Sequence, residues 1–138
     1  MYPQIYFLSI VINLIVGIVL VRDILLEKFP SFGKLLADVG EADIFRLVGG
    51  IAATLVGILK LFEVGPAQTI FIGDLFPALA GMAAGKTLLS EYFRKKDLKI
   101  PVWPGRAADF LISTRRVWGF AAIAAAVLHF FFYQVILL

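Results

Sequence analysis

Six side chains carry groups that hydrocarbon tolerates poorly yet stand inside long apolar runs: Arg46, Lys60, Asp74, Lys86, His129 and the uncharged amide of Asn13. An ionisable group in such a run is costly enough to need a partner or a task. Lys60 precedes the Gly65-Pro66 turn and Asp74 follows it, so a hairpin there brings ammonium and carboxylate to similar depth, and pairing lowers the cost of both. An internal match described below places His129 at the position of Lys60. Lys60, Asp74 and His129, with Asn13, therefore form a candidate intramembrane polar group, suited either to a proton or ion relay or to a structural pairing. Arg46 and Lys86 stand near the ends of their runs, where long side chains reach lipid headgroups.

Other chemistry is poorly supplied. The chain has no cysteine and one histidine, which removes disulfides, thiolate nucleophiles and the usual structural metal sets. Paired carboxylates, a nucleophile beside a base and a HExxH run are absent, so no catalytic, cofactor or metal residue is assigned. Residues 80–87, Ala-Gly-Met-Ala-Ala-Gly-Lys-Thr, fit a relaxed phosphate-loop pattern. That pattern works only between a strand and a helix, whereas here it lies within an apolar helical run whose backbone donors are already committed, so nucleotide binding is not expected. The basic cluster Arg94, Lys95, Lys96 and Lys99 is short and lacks a nucleic-acid reading module; it suits anionic lipid or an acidic partner, or serves only as a topology signal.

These groups need elements to hold them, and the composition says which solvent surrounds those elements. Apolar residues make up 61% of the 138 and charged ones 17%, at a mean hydropathy of +0.93, against about half and a quarter in soluble domains. A bilayer core about 30 Å thick needs about 20 apolar residues per helix. Four windows qualify: 3–21, 44–62, 69–89 and 117–138. The first lacks a basic residue before it and a small-residue cleavage pattern after it, so it reads as a permanent span rather than a signal peptide.

Lys and Arg number three in residues 22–43 and seven in residues 90–116, and none in 1–4, in the turn 63–68 or at the carboxy terminus. The positive-inside tendency then puts both connectors in the cytoplasm and both termini outside, in a cell (inner) membrane. Tyr2, Tyr6, Trp118 and Tyr133 stand near span ends, as interfacial aromatics do. In the first connector, Leu25, Phe29, Phe32, Leu36 and Val39 recur at helical spacing, which predicts a surface-lying segment interrupted at Pro30. In the second, Pro101 and Pro104 forbid one continuous helix.

Sliding the chain along itself by 69 positions superposes Arg46, Val48, Gly50, Ala52, Ala53, Leu59 and Phe62 on Arg115, Val117, Gly119, Ala121, Ala122, Leu128 and Phe131, seven identities in seventeen columns. A shift of 68 sets Ser9, Asn13 and Gly17 over Pro77, Gly81 and Gly85. The expected architecture is one all-α membrane domain, a four-transmembrane-helix bundle of two parallel helix-loop-helix repeats, about 1–66 and 67–138.

Small residues at four-residue spacing let helices approach closely in lipid. Ser9, Gly17, Gly49, Ala53, Gly57, Gly81, Gly85, Ala121 and Ala125 are the candidate packing positions. The function expected from so little intramembrane polarity is a non-enzymatic membrane subunit that binds other membrane proteins or itself. A small oligomeric channel or transporter using Lys60, Asp74 and His129 is the rival, and a lipid-modifying enzyme is a further alternative.

Overall fold

The computed structural model describes residues 3–62, 75–98 and 105–132. Within them the chain is all helical, with seven helices and no strand: α1 (Pro3–Leu20), α2 (Arg22–Lys28), α3 (Pro30–Glu41), α4 (Asp43–Phe62), α5 (Leu75–Lys95), α6 (Gly105–Ser113) and α7 (Arg115–Phe131). The first connector is a helical hairpin. Phe29 leaves helical geometry at φ −134°, ψ 79°, and Pro30 opens α3 at the one position where its missing donor costs nothing. Gly33 is required there, because a Cβ at that position would collide with the backbone of Leu26 and Leu25. A second break falls at Thr114, where α6 and α7 meet at a bend of 68°; the Thr114 hydroxyl donates to the Phe110 carbonyl at 2.6 Å and accepts from Trp118 Nε1 at 2.9 Å.

α1, α4, α5 and α7 pack around a core of Val16, Leu20, Ala53, Ala84, Leu88 and Ala122. The closest-packed pairs are α4 with α5 and α1 with α7. Alanines and glycines make up much of the interior beside Leu20 and Leu88, and many large side chains face out: Phe7, Ile44, Val48, Leu55, Phe120 and Phe130 are all at least half exposed. In water that arrangement would waste most of the available apolar burial, whereas lipid removes the penalty and rewards close helix contact.

α1 and α4 are long and apolar enough to cross a membrane, and α6 with α7 would make a third crossing if the bent pair counts as one span. α5 does not pass that test. It is 21 residues long but carries Lys86, Glu91, Arg94 and Lys95, and it runs six residues beyond the expected boundary at residue 89. α7 ends at Phe131 within the described residues, and the expected turn at 63–68 lies outside them.

Candidate functional site

Two polar clusters sit inside this apolar frame, one toward each end of the long helices. The first gathers around Glu91 in the last turns of α5, which is 8% exposed. Arg22, the residue after the break that ends α1, donates through Nη1 to Val19 O at 3.0 Å and so satisfies a carbonyl that the helix end leaves unpaired. Its Nη2 lies 3.4 Å from Glu91 Oε2 and 3.4 Å from Glu41 Oε1. Arg46, one turn into α4, holds Glu41 Oε1 at 3.1 Å with Nη2 and faces Glu91 Oε2 at 3.5 Å with Nε. From the start of α7, Arg115 reaches Glu91 Oε1 at 3.3 Å and Asp23 Oδ2 at 3.5 Å. Arg116 donates from Nε to Asp23 Oδ2 at 2.8 Å.

The surrounding rim is also paired. Lys95 and Lys96 hold the two oxygens of Asp43 at 2.9 and 2.7 Å, Lys95 also donates to Glu41 O at 3.0 Å, and Arg94 pairs with Asp109. Every helix but α1 therefore contributes a charged group to this end of the molecule. Arg46 corrects the sequence reading: it does not reach for headgroups but turns inward, 5% exposed, toward carboxylates on two other helices. The sequence had offered Arg94, Lys95, Lys96 and Lys99 as lipid or partner contacts; the first three are exposed and ion-paired, and Lys99 lies outside the described residues.

Partial desolvation pushes the Glu41 carboxyl up, but the combined pull of Arg46 and Arg22 outweighs it and holds the group below its ordinary 4.5. Asp23 behaves likewise: desolvation raises it, and Arg116 with Arg115 bring it below 3.8. A depressed folded-state value means that the carboxylate stabilises the fold above its unfolded value and that this contribution is lost as the pH falls through the folded one. Stability from these pairs is thus expected to be flat from neutral pH down to about 5 and to fall below about 4.5. Thermal melting in detergent across that range checks it; a transition midpoint unchanged between pH 7 and 3 would contradict the pairing.

The second cluster is smaller and more deeply enclosed. Lys60 in the last turn of α4 and His129 in the last turn of α7 are 2% and 0% exposed. Lys60 Nζ and His129 Nε2 stand 2.9 Å apart. A hydrogen bond between two nitrogens needs one donor and one acceptor, and which residue plays which role depends on the histidine tautomer. Tyr6 of α1 closes the cluster, donating from its hydroxyl to His129 O at 2.7 Å, with its ring centroid 4.7 Å from the imidazole and 5.7 Å from Lys60 Nζ. Asp74, expected beside Lys60, lies outside the described residues.

Asn13, 3% exposed, bonds across to α5, donating from Nδ2 to Pro77 O at 3.1 Å. Gly81 gives it room, since a Cβ there would sit 2.6 Å from Asn13 Oδ1. Of the other small residues, Ser9, Gly17, Ala53, Gly57, Gly85 and Ala125 are buried. Gly49 and Ala121 are half-buried, and their neighbours Gly50 and Ala122 take the inward position. Among the described residues no group of three or more His, Cys, Asp or Glu is placed to hold a metal.

A family model, for a family of unknown function, matches residues 1–129. The chain belongs to that family. No curated protein and no solved structure matches the chain, so the family gives a kinship, and the geometry is the source of any functional reading.

Sequence reasoning passed over Glu91, Arg22, Glu41 and Asp23 as connector residues. One signal was present: the 69-residue shift that superposes Arg46 on Arg115 also carries Arg22 onto Glu91, setting a cation over an anion at corresponding places.

Proposed function

We propose that this is an integral membrane protein of four spans in a cell (inner) membrane, made of two parallel helix-loop-helix units, and that it serves as a non-enzymatic subunit packing against other membrane proteins or copies of itself. The connectors 22–43 and 90–116 face the cytoplasm in this reading, and both termini face outward. α5 makes the third crossing in this reading, its charged last turns lying in the headgroup layer.

Two sets of contacts support the paired units. A residue that touches its own counterpart lies on the axis relating two copies, and both Arg22 with Glu91 and Lys60 with His129 are contacts separated by 69 residues. The closest helix pairs, α4 with α5 and α1 with α7, are also exchanged by that relation. Gly50 faces Gly85 and Gly119 faces Gly17 in matching backbone contacts. An axis along the membrane normal suits two-span units that enter in the same direction.

The observation that carries the subunit reading is where the charge goes. Arg22, Arg46 and Glu91 engage one another inside the bundle, as do Lys60 and His129, while the outer faces of α1, α4 and α7 present large apolar side chains that lipid or another membrane protein must cover. Gentle detergent extraction is expected to recover a stoichiometric partner or a defined homo-oligomer. A solitary monomer under several mild detergents would overturn this reading.

The Lys60–His129 contact favours one second reading, a small channel or transporter in which that pair and Asp74 move protons or ions. Vesicles holding the purified protein should then show a flux that Asp74→Asn abolishes with the fold intact. Absence of flux from the parent protein removes it.

A further inference from the structure

The cluster around Glu91 has an imbalance that its own residues do not correct. Three guanidiniums, from Arg22, Arg46 and Arg115, converge on one buried carboxylate. Their distances to it, 3.4, 3.5 and 3.3 Å, exceed the roughly 2.7–2.9 Å of a well-formed charge-assisted bond. Arg46 Nε is buried and makes no hydrogen bond. Two further anions share these cations: Asp23, 28% exposed, lies 3.5 Å from Arg115 and also pairs with Arg116, and the Glu41 carboxylate lies across Arg22 and Arg46 at 3.4 and 3.1 Å while its side chain stays 61% exposed. Buried cations are thus held by a solvated carboxylate at the end of α3, a weak substitute for a buried partner.

We propose that Arg22, Arg46 and Arg115 form a binding site for a phosphate-class oxyanion, and that Glu41 occupies its mouth as an internal competitor. A tetrahedral phosphate offers several acceptors at once, which suits convergent guanidinium forks better than a single carboxylate edge does. It would displace the Glu41 side chain outward into water and take the donors of Arg22 and Arg46 that now hold it, with Arg115, 28% exposed, closing from the rim. Glu91 remains in place beneath and keeps the three arginines convergent. The site lies where α1 ends and α4 begins, at the charged end of the bundle, which in the membrane reading is the level of the lipid headgroups, so a headgroup phosphate is one source of the anion. A free phosphate can also enter past Glu41.

The test uses the full chain in a maltoside detergent, which carries no phosphate, with thermal unfolding and native mass spectrometry as readouts. Added phosphatidylglycerol, or added inorganic phosphate, should raise the melting temperature in a saturable way. Stabilisation by phosphatidylglycerol alone assigns the site to headgroups, and stabilisation by inorganic phosphate assigns it to a soluble anion. Glu41→Gln should bind about tenfold tighter, the equivalent of ~1.4 kcal/mol, and Arg115→Gln, at the rim, should bind at least that much more weakly. Absence of saturable binding of either probe, or a Glu41→Gln protein that binds no better than the parent, overturns the proposal.

Discussion

Glu91→Ala should be the most damaging single carboxylate substitution in the chain, lowering stability by about 3–5 kcal/mol, the usual consequence of removing one partner from a buried ionic group. Arg22 and Arg46 are each 5% exposed and would be left with Glu41 alone, which is mostly solvated. Glu91→Gln keeps the shape and a hydrogen-bonding oxygen but drops the charge, so it should fall between parent and alanine variant. Glu27→Ala, at an exposed position of α2, should change stability by no more than about 0.5 kcal/mol. Unfolding in mild detergent followed by circular dichroism measures all three. Pairing Glu91→Met with Arg22→Met should recover part of the loss, because a cation and an anion removed together leave less uncompensated charge than one removed alone. Equal stability of parent and Glu91→Ala would mean that the cluster is solvated rather than buried.

How much of this was legible in the sequence depends on which force set each feature. α1 and α4 are bounded by changes of solvent, from charged to apolar and back, so the runs 3–21 and 44–62 agree with Pro3–Leu20 and Asp43–Phe62 to within a residue. The end of α5 at Lys95 was not visible in that way. Hydropathy reads the surroundings, and Glu91, Arg94 and Lys95 sustain a helix well while belonging to another phase. The break before Pro30 follows from a missing donor, whereas the bend at Thr114 has neither proline nor glycine to mark it.

The candidate site divides along the same line. Lys60 and His129 stood out because each is a basic residue in an oily run, and the internal match put them at one position; they meet at 2.9 Å. Arg46 was misread because its partners come from α3 and α5, and no spacing along α4 reveals an anion arriving from elsewhere. Glu91 looked like an ordinary connector residue for the same reason. Charge near a span end can be drawn outward to headgroups or inward to a counter-ion, and only the packing of other helices decides between them.

Alanine at the close-contact glycines is expected to give losses that come in matched pairs. In a helix interior, Gly to Ala by itself gains about 1 kcal/mol, so Gly49→Ala, whose new Cβ would find nothing nearer than 3.5 Å, should be neutral or stabilising. Gly85 differs: a Cβ there would meet Gly50 O at 2.7 Å and Thr54 N at 2.8 Å, and backbone atoms cannot swing aside. Gly17 faces Gly119 O at 2.7 Å and Ile123 N at 3.0 Å in the same manner. Overpacking of this kind costs about 1–3 kcal/mol, enough to outweigh the helix-propensity gain, so Gly85→Ala and Gly17→Ala should both destabilise, and by similar amounts. Gly50 and Gly119 form the milder pair, their Cβ atoms lying 2.9 Å from the facing carbonyls of Gly85 and Gly17. Unfolding free energies in detergent for the five variants decide the matter. A common ancestry of the two halves requires Gly17 to track Gly85 and Gly50 to track Gly119. If the sensitive positions instead cluster on one helix pair and the other tolerates alanine, the contacts between α1 and α7 are not the counterpart of those between α4 and α5, and the axis drawn through Arg22, Glu91, Lys60 and His129 loses its strongest physical support.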